Sequence, residues 1–131
     1  MTEAKPNKIP YKNQKEIYGI IISKIKNNYL KDMQQAYLIG SLASGSFGKY
    51  EKEYEGYLGS DVDIVALPKK IKEEWVYEGE FHNWHKRYHI GEINIENVIH
   101  PINLMAPLKE NFEDLWLLAK KLNWIVIKLK R

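Results

Sequence analysis

Two short apolar runs place the strongest constraint on how this chain can fold. Residues 36–39 are all apolar and end at Gly40, and residues 61–67 are rich in valine and isoleucine and end at Pro68. Both runs are shorter than an ordinary helix, and β-branched side chains favour extended backbone. We therefore predict two buried strands, which need further strands beside them in a sheet.

Helical or alternating periodicity marks three other segments. Residues 11–31 have apolar side chains three and four positions apart, which predicts an amphipathic helix with a lysine-rich outer face. Residues 108–122 show the same spacing and predict a second helix. Residues 124–130 place Ile125, Ile127 and Leu129 on one side and Lys128 and Lys130 on the other, which is typical of a half-buried terminal strand.

The middle of the chain is harder to divide. Residues 90–99 predict a third strand, bent or bulged near Gly91, and Pro101 and Pro107 are expected to bracket a connector. Residues 70–88 show no clear periodicity and are compatible with one helical turn and with two extended pieces. The order of helix, three strands, helix and strand indicates an α/β (α+β) fold with a single mixed β-sheet and flanking helices.

The length of 131 residues suits one domain. We expect this domain to span residues 11–131, after a flexible leader at residues 1–10 that holds two prolines and shows no apolar periodicity. Residues 48–59 are polar, tyrosine-rich and bounded by glycines, which is typical of a loop insertion.

Composition excludes several classes of site. The chain has no cysteine, so disulfides, thiolate zinc sites, iron–sulfur clusters and cysteine nucleophiles are ruled out. No apolar run reaches the roughly 20 residues of a membrane span, and the N-terminus lacks the apolar region of a signal peptide. We therefore expect a cytoplasmic protein without a membrane partner. The net charge of +3 is too small to indicate nucleic-acid binding by itself.

The glycine- and serine-rich segment after the first run has the chemistry of a phosphate site. Gly40 and Gly45 allow close approach of backbone to a ligand, and the hydroxyls of Ser41 and Ser44 can donate to phosphate oxygens. Free amides at the start of a following helix also favour an anion. Taken alone, Gly40-Ser41 also fits a plain strand-to-helix turn with a serine cap.

The second run carries Asp61 and Asp63, two positions apart. On a strand both side chains point to the same face, where two carboxylates repel each other unless a cation lies between them. Oxygen ligands favour Mg²⁺ or Mn²⁺ over zinc, and a pair of such ions can clamp an in-line displacement at phosphorus. Taken alone, the two aspartates fit equally well as exposed strand-end residues.

Together the two motifs closely resemble the polymerase-beta-like nucleotidyltransferase superfamily in its minimal, single-domain form. That family has an apolar strand ending in Gly-Ser, a short glycine-containing helix and Asp-x-Asp on the next strand. Gly40, Ser41, Asp61 and Asp63 match this pattern, and the resemblance covers roughly residues 36–100. The gap from Ser41 to Asp61 is longer than in the family, and we place the excess in the insertion.

The resemblance implies transfer of a nucleoside monophosphate from a nucleoside triphosphate, ATP foremost, to a hydroxyl group, with release of pyrophosphate. The segment formed by Gly40, Ser41, Ser44 and Gly45 would bind the triphosphate. Asp61 and Asp63 would hold the Mg²⁺ or Mn²⁺ that bridges its oxygens.

The family's third carboxylate has no obvious counterpart in this sequence. Glu92, Asn94 and Glu96 share one strand parity, so all three are candidates. We choose Glu96 as the metal ligand and as the base for the acceptor hydroxyl, because it is acidic and lies just before Pro101, where the chain leaves the predicted strand. Glu92 is our second choice for this role. Asn94 has the best apolar flanks, but a neutral amide would leave the site incomplete.

The small size of the chain implies a partner that supplies much of the acceptor site. The resemblance implies a protein or RNA acceptor and a homo- or hetero-oligomer, with this chain as the antitoxin of a toxin–antitoxin pair. The alternative is a catalytically inactive module of the same fold that binds a nucleotide or a partner.

Two further sets of side chains have weaker functional interpretations. His82, His85 and His89 would gather three imidazoles on a helix, as in a zinc site, but packed or surface histidines are the more ordinary interpretation. Tyrosines 50, 54 and 57 are spaced to stack on bases, or to pack the insertion against the body of the domain.

Overall fold

The structure is a computed structural model and describes residues 5–81, 85–108 and 127–130. The predicted second helix, residues 108–122, lies outside the described residues except for its first position. The elements, in chain order, are β1 (Lys8–Pro10), α1 (Gln14–Asn28), a 3₁₀ turn (Leu30–Asp32), β2 (Met33–Ile39), α2 (Ser41–Ser44), β3 (Gly48–Tyr54), β4 (Tyr57–Gly59), β5 (Val62–Pro68), β6 (Val76–Phe81), β7 (His85–Ile95), β8 (Val98–Pro107) and β9 (Ile127–Lys130).

The main sheet has six strands in the order β6-β7-β8-β5-β2-β9. Strands β5 and β8 are parallel, and the other neighbours are antiparallel. This confirms a mixed α+β architecture, with a sheet that is mostly antiparallel and few helices. Strand β9 confirms the predicted terminal strand over residues 127–130.

Helix α1 covers one face of this sheet. Its isoleucines recur every four residues, and Ile17, Ile21 and Ile25 are almost fully buried. They share one core cluster with Ile64 of β5 and Leu104 of β8, both inaccessible to solvent. Because side chains alternate along a strand, the neighbours Asp63 and Asn103 face the opposite side. Among the described residues, no helix has both the length and the apolar character needed to cross a membrane.

The predicted insertion is ordered as a second sheet, not as a loop. Strands β3 and β4 form a hairpin through Glu55 and Gly56, which both have positive φ angles. Strand β1 pairs with β3, so residues 8–10 belong to this small sheet rather than to a flexible leader. The expectation of a single sheet is therefore corrected: residues 5–81, 85–108 and 127–130 form two sheets.

The largest correction concerns residues 90–107. The predicted third strand over 90–99 is in fact the end of β7, a turn at Glu96 and Asn97, and the start of β8. Both turn residues have positive φ, and the Asn94 side-chain oxygen accepts a hydrogen bond from the Asn97 amide at 2.9 Å. Pro101 lies within β8 rather than at the edge of a connector; the parallel ladder with β5 begins only at Ile102. The predicted irregularity near Gly91 is confirmed, since the β7–β8 register shifts there.

Candidate functional site

The two sequence motifs meet at the end of β2 and the start of β5. Ile39 lies opposite Asp63 in the antiparallel ladder, so the turn after β2 passes directly over the aspartate. Gly40 has a φ of +81°, and a Cβ at this position would lie 3.0 Å from Oδ2 of Asp63. The backbone angle favours glycine at this position, and a larger residue would also require the Asp63 carboxylate to shift by a few tenths of an ångström.

The predicted phosphate segment forms one short helical turn. Helix α2 begins at Ser41 and ends before Gly45, which has a φ of +84°. The space around Gly45 is open, so its backbone angle alone accounts for the glycine. The Ser44 hydroxyl donates to the Ser41 carbonyl at 3.2 Å and lies 3.1 Å from the Ser46 hydroxyl, so it is engaged within the turn.

Asp61 and Asp63 lie on the face of the sheet opposite α1, and both are half-buried. Burial raises the pKa of Asp63 to about 7, the charge of Asp61 adds to this, and a hydrogen bond from Asn103 opposes it. Burial also raises the pKa of Asp61, against the opposing charge of Arg87. Two carboxylates that both resist ionisation are suited to share a cation.

A row of side chains extends from Asp63 across the sheet. In register, Asp63 lies beside Asn103 of β8, and Asn103 lies beside His89 of β7. Asn103 is buried at 5% exposure and bonds to Asp63, so it occupies the position next to the aspartates where a third acid would be expected. Sequence reasoning missed Asn103 because residues 101–107 were assigned to a connector.

Glu96 is not brought to the aspartates. It lies exposed in the β7–β8 turn, before the first residue of β8, and its negative charge acts on Tyr11. Asn103 is five residues beyond Val98, or roughly 16 Å at about 3.3 Å per residue. Asn94 is also outside the site, since its side chain caps the turn.

Glu92 is the acid from β7 that comes nearest. After the β-bulge, Glu92 pairs with Pro101 of β8. Because the next residue, Ile102, pairs with Val62 in the parallel ladder, Pro101 lies level with Asp61. Its carboxylate accepts a hydrogen bond from the Tyr57 hydroxyl and lies 3.8 Å from Nε2 of His89. Two strand spacings, about 10 Å, separate the backbones of Glu92 and Asp61.

A solvent-open cleft lies beside Asp61. Its wall combines residues of the β3–β4 hairpin with residues of β6, β7 and β8. The lining residues are Tyr54, Glu55, Tyr57, Asp61, Glu78, Arg87, His89, Pro101 and Asn103. The predicted insertion thus contributes two of its three tyrosines, Tyr54 and Tyr57, to this cleft.

His100 anchors the backbone that carries the aspartates. The ring is fully buried; Nδ1 donates to the Ser60 carbonyl at 2.7 Å, and Nε2 accepts from the Tyr11 hydroxyl at 2.9 Å. Burial lowers the pKa of His100, which keeps the ring neutral, as this pairing requires. Ser60 directly precedes Asp61, so His100 has a structural role that supports the site.

The histidine pattern does not form a zinc cluster among the described residues. His85 and His89 lie on strand β7, not on a helix, and four residues of strand span about 13 Å. His82 lies outside the described residues. Within the described part of the chain, no group of three or more His, Asp or Glu side chains is arranged to hold a metal ion.

Comparison with known proteins gives no relative. No family model matches the chain, and no match was found among curated proteins or solved structures.

Proposed function

We propose that this chain is a nucleotidyltransferase-like enzyme of the polymerase-beta type. It would transfer a nucleoside monophosphate from a nucleoside triphosphate, ATP foremost, to a hydroxyl group of a protein or an RNA. The observation that supports the proposal is the proximity of Gly40 to the Asp63 carboxylate: a Cβ placed on Gly40 would lie 3.0 Å from Oδ2 of Asp63. Two motifs that are 20 residues apart in the sequence, counted from Ser41 to Asp61, thereby come together where β2 ends and β5 begins.

The donor set fits one Mg²⁺ or Mn²⁺ ion held by Asp61 and Asp63. Both are hard oxygen donors, and burial, together with the charge of Asp61, raises the pKa of Asp63 to about 7. When bound, such an ion would neutralise charge that develops on the phosphate oxygens. Within the described residues, the three-carboxylate set that would hold two ions is not assembled.

The other side chains of the site would position the aspartates and handle the acceptor proton. Asn103 holds Asp63 in one orientation through its hydrogen bond. Glu92, rather than Glu96, would accept the proton of the attacking hydroxyl, because Glu92 lies at the level of Asp61 and already accepts a hydrogen bond from Tyr57. Positioning and charge neutralisation would supply most of the rate enhancement.

A partner would complete the acceptor side of this open cleft. In the antitoxin hypothesis the partner is a toxin protein that receives the nucleotide in a hetero-oligomer. Co-expression with candidate acceptors, followed by mass spectrometry for one added nucleoside monophosphate, would identify the modified molecule.

The function is tested by incubating the chain with Mg²⁺ and ATP labelled at the α-phosphate. We expect pyrophosphate release and transfer of label to protein or RNA, both abolished by Asp61→Asn. Asp32→Asn is the matched control, because Asp32 lies away from the site in an ion pair with Lys72.

Asn103 specifically favours a second candidate, the inactive binding module. An amide beside Asp63 cannot replace the charge of a third carboxylate. If calorimetry detects Mg²⁺-dependent nucleotide binding while no pyrophosphate is released with any acceptor, the chain is an inactive binding module and the enzyme hypothesis is wrong.

A further inference from the structure

Arg87 lines the cleft and has no role yet in the proposed chemistry. It lies on β7 two residues before His89, and therefore on the same face of the sheet as His89 and Asn103. Of the described residues that line the cleft, it is the one with a permanent positive charge. The acids around the cleft make an unassisted approach of a polyphosphate unfavourable, so a fixed cation there has a direct use.

Two contacts hold the Arg87 side chain in place. Its Nε donates to Oε1 of Glu78 at 3.0 Å, and its guanidinium lies 4.2 Å from the centre of the Phe81 ring. Both partners belong to β6, so the edge strand of the sheet acts as a support for this one side chain. Ordering of this kind lowers the entropy that a ligand would otherwise have to remove on binding.

The geometry of a guanidinium is suited to binding phosphate. Its planar fork can donate two parallel hydrogen bonds to two oxygens of a phosphate group. The contact with Glu78 that fixes the fork is made through Nε alone. Glu78 and Asp61 line the same cleft, so a phosphate bound to Arg87 would lie beside the proposed cation site.

We infer that Arg87, oriented by Glu78 and Phe81, binds the phosphate chain of a nucleoside triphosphate in the cleft beside Asp61. This inference rests on the proposed function for the identity of the nucleotide. The phosphate-binding role itself can be tested with an inorganic polyphosphate, which has no nucleotide to transfer.

Four variants separate charge, fork geometry and orientation. Arg87→Met removes the charge and keeps most of the apolar stem, and Arg87→Lys keeps the charge but loses the fork. Glu78→Gln removes the ion pair that orients Arg87. Lys86→Met is the matched control, since Lys86 is exposed, adjacent on β7, and pairs with Ala106 of the core-facing side.

The experiment is calorimetric titration of each full-length variant with inorganic tripolyphosphate, ATP and AMP in the presence of Mg²⁺. For ATP and tripolyphosphate we expect about tenfold to hundredfold weaker binding in Arg87→Met, a smaller loss in Arg87→Lys and Glu78→Gln, and no change in Lys86→Met. AMP, with one phosphate, should lose less. A thermal melt checks folding; if Arg87→Met does not fold, Arg87→Lys and Glu78→Gln carry the test.

The outcomes distinguish this inference from the proposed function. Equal ATP and tripolyphosphate affinities in wild type and in the folded Arg87 and Glu78 variants overturn the inference, whether or not nucleotide transfer is observed. Arg87-dependent binding of tripolyphosphate without any nucleotide transfer supports the inference and contradicts the proposal that the chain is an enzyme. A wild-type chain that binds neither ATP nor tripolyphosphate overturns both.

Discussion

The two faces of the main sheet are made by alternate residues of the same strands, yet their chemistry differs completely. On the α1 side, Ile64 and Leu104 are inaccessible to solvent and belong to one apolar cluster. On the other side, Asp63 and Asn103 bond to each other beside an open cleft, although Val65 there is also buried. A shift of one position along β5 thus separates a residue that stabilises the fold from one that is costly to bury.

Stability comes mainly from the face that packs against α1. The proposed site lies on the opposite face, called the acid face here because it carries Asp61 and Asp63. The α1 face gains free energy from apolar burial, about 25 cal/mol per Å². The acid face gives up stability by holding carboxylates that burial keeps partly protonated, as the pKa of about 7 for Asp63 shows. Changes on the two faces should therefore have opposite consequences for stability and for the proposed function.

The largest effect is expected from Asp63→Asn. Loss of one carboxylate from the pair should reduce nucleotide transfer to background and weaken Mg²⁺ binding at least a hundredfold, on the order expected for loss of a charged ligand. The same change should raise the denaturation midpoint at pH 8, since a neutral amide has no ionisation cost. A destabilised variant with unaltered Mg²⁺ affinity would reverse the roles of the two faces.

Leu104→Ala should act in the opposite sense. Removing a fully buried leucine should lower the free energy of unfolding by about 2–5 kcal/mol, measured by urea denaturation. The Mg²⁺ affinity of the folded fraction should stay within about twofold of wild type, a margin typical of independent sites. Met105→Ala, one position along and on the other face, is the control and should be milder, because Met105 is only half-buried.

The stability of the metal-free chain should fall as pH rises from about 4 to about 7. The Asp63 carboxyl has a pKa of about 7 in the folded chain, against 3.8 for an ordinary aspartate. In this window the folded state binds the extra proton, so the free energy of unfolding declines by at most about 1.4 kcal/mol per pH unit.

Urea denaturation at a series of pH values checks this slope. Asp63→Asn should flatten it, and saturating Mg²⁺ at pH 8 should restore part of the lost stability. Stability that rises over the same window in wild type would mean that the aspartates are not held protonated by burial.

The smallest effect is expected from Glu96→Gln at the β7–β8 hairpin, and Glu92→Gln provides the contrast. Glu96→Gln should leave nucleotide transfer unchanged, because Glu96 lies exposed in the turn. Glu92→Gln should slow transfer about a hundredfold, the lower range for loss of a general base. Rates of label transfer at saturating ATP compare the two; a large effect of Glu96→Gln with none for Glu92→Gln would restore the original choice of base.

Local pattern accounts for much of the fold. Helix α1 could be predicted from its isoleucine spacing, and strands β2 and β5 from their short apolar runs. In each case the pattern depends on burial within a single element. That the Gly40-Ser41 segment lies near Asp61 and Asp63 was an expectation from the resemblance, not from local pattern. None of these required knowledge of which strands are neighbours.

The parts of the fold and site that were not predicted depend on strand register and on the positions of turns. Asn97 tolerates positive φ and makes a tight turn without glycine, so residues 90–99 looked like one strand. As a result, residues 101–107 of β8 were assigned to a connector and Asn103 was missed. Arg87 was missed for another reason: it lies on β7 within residues 70–88, a stretch that shows no clear periodicity. One signal was present: Asn103 is a lone amide within an apolar stretch, between Ile102 and Leu104, which is unusual unless the amide has a buried partner.

The most direct test is a titration of Mn²⁺ into the metal-free chain at pH 8, followed by electron paramagnetic resonance. The wild type and Leu104→Ala should each bind one ion at a site that Mg²⁺ competes for, and Asp63→Asn should bind none in the same range. Equal Mn²⁺ binding by wild type and Asp63→Asn, or no binding by the wild type, would contradict a cation site on the acid face.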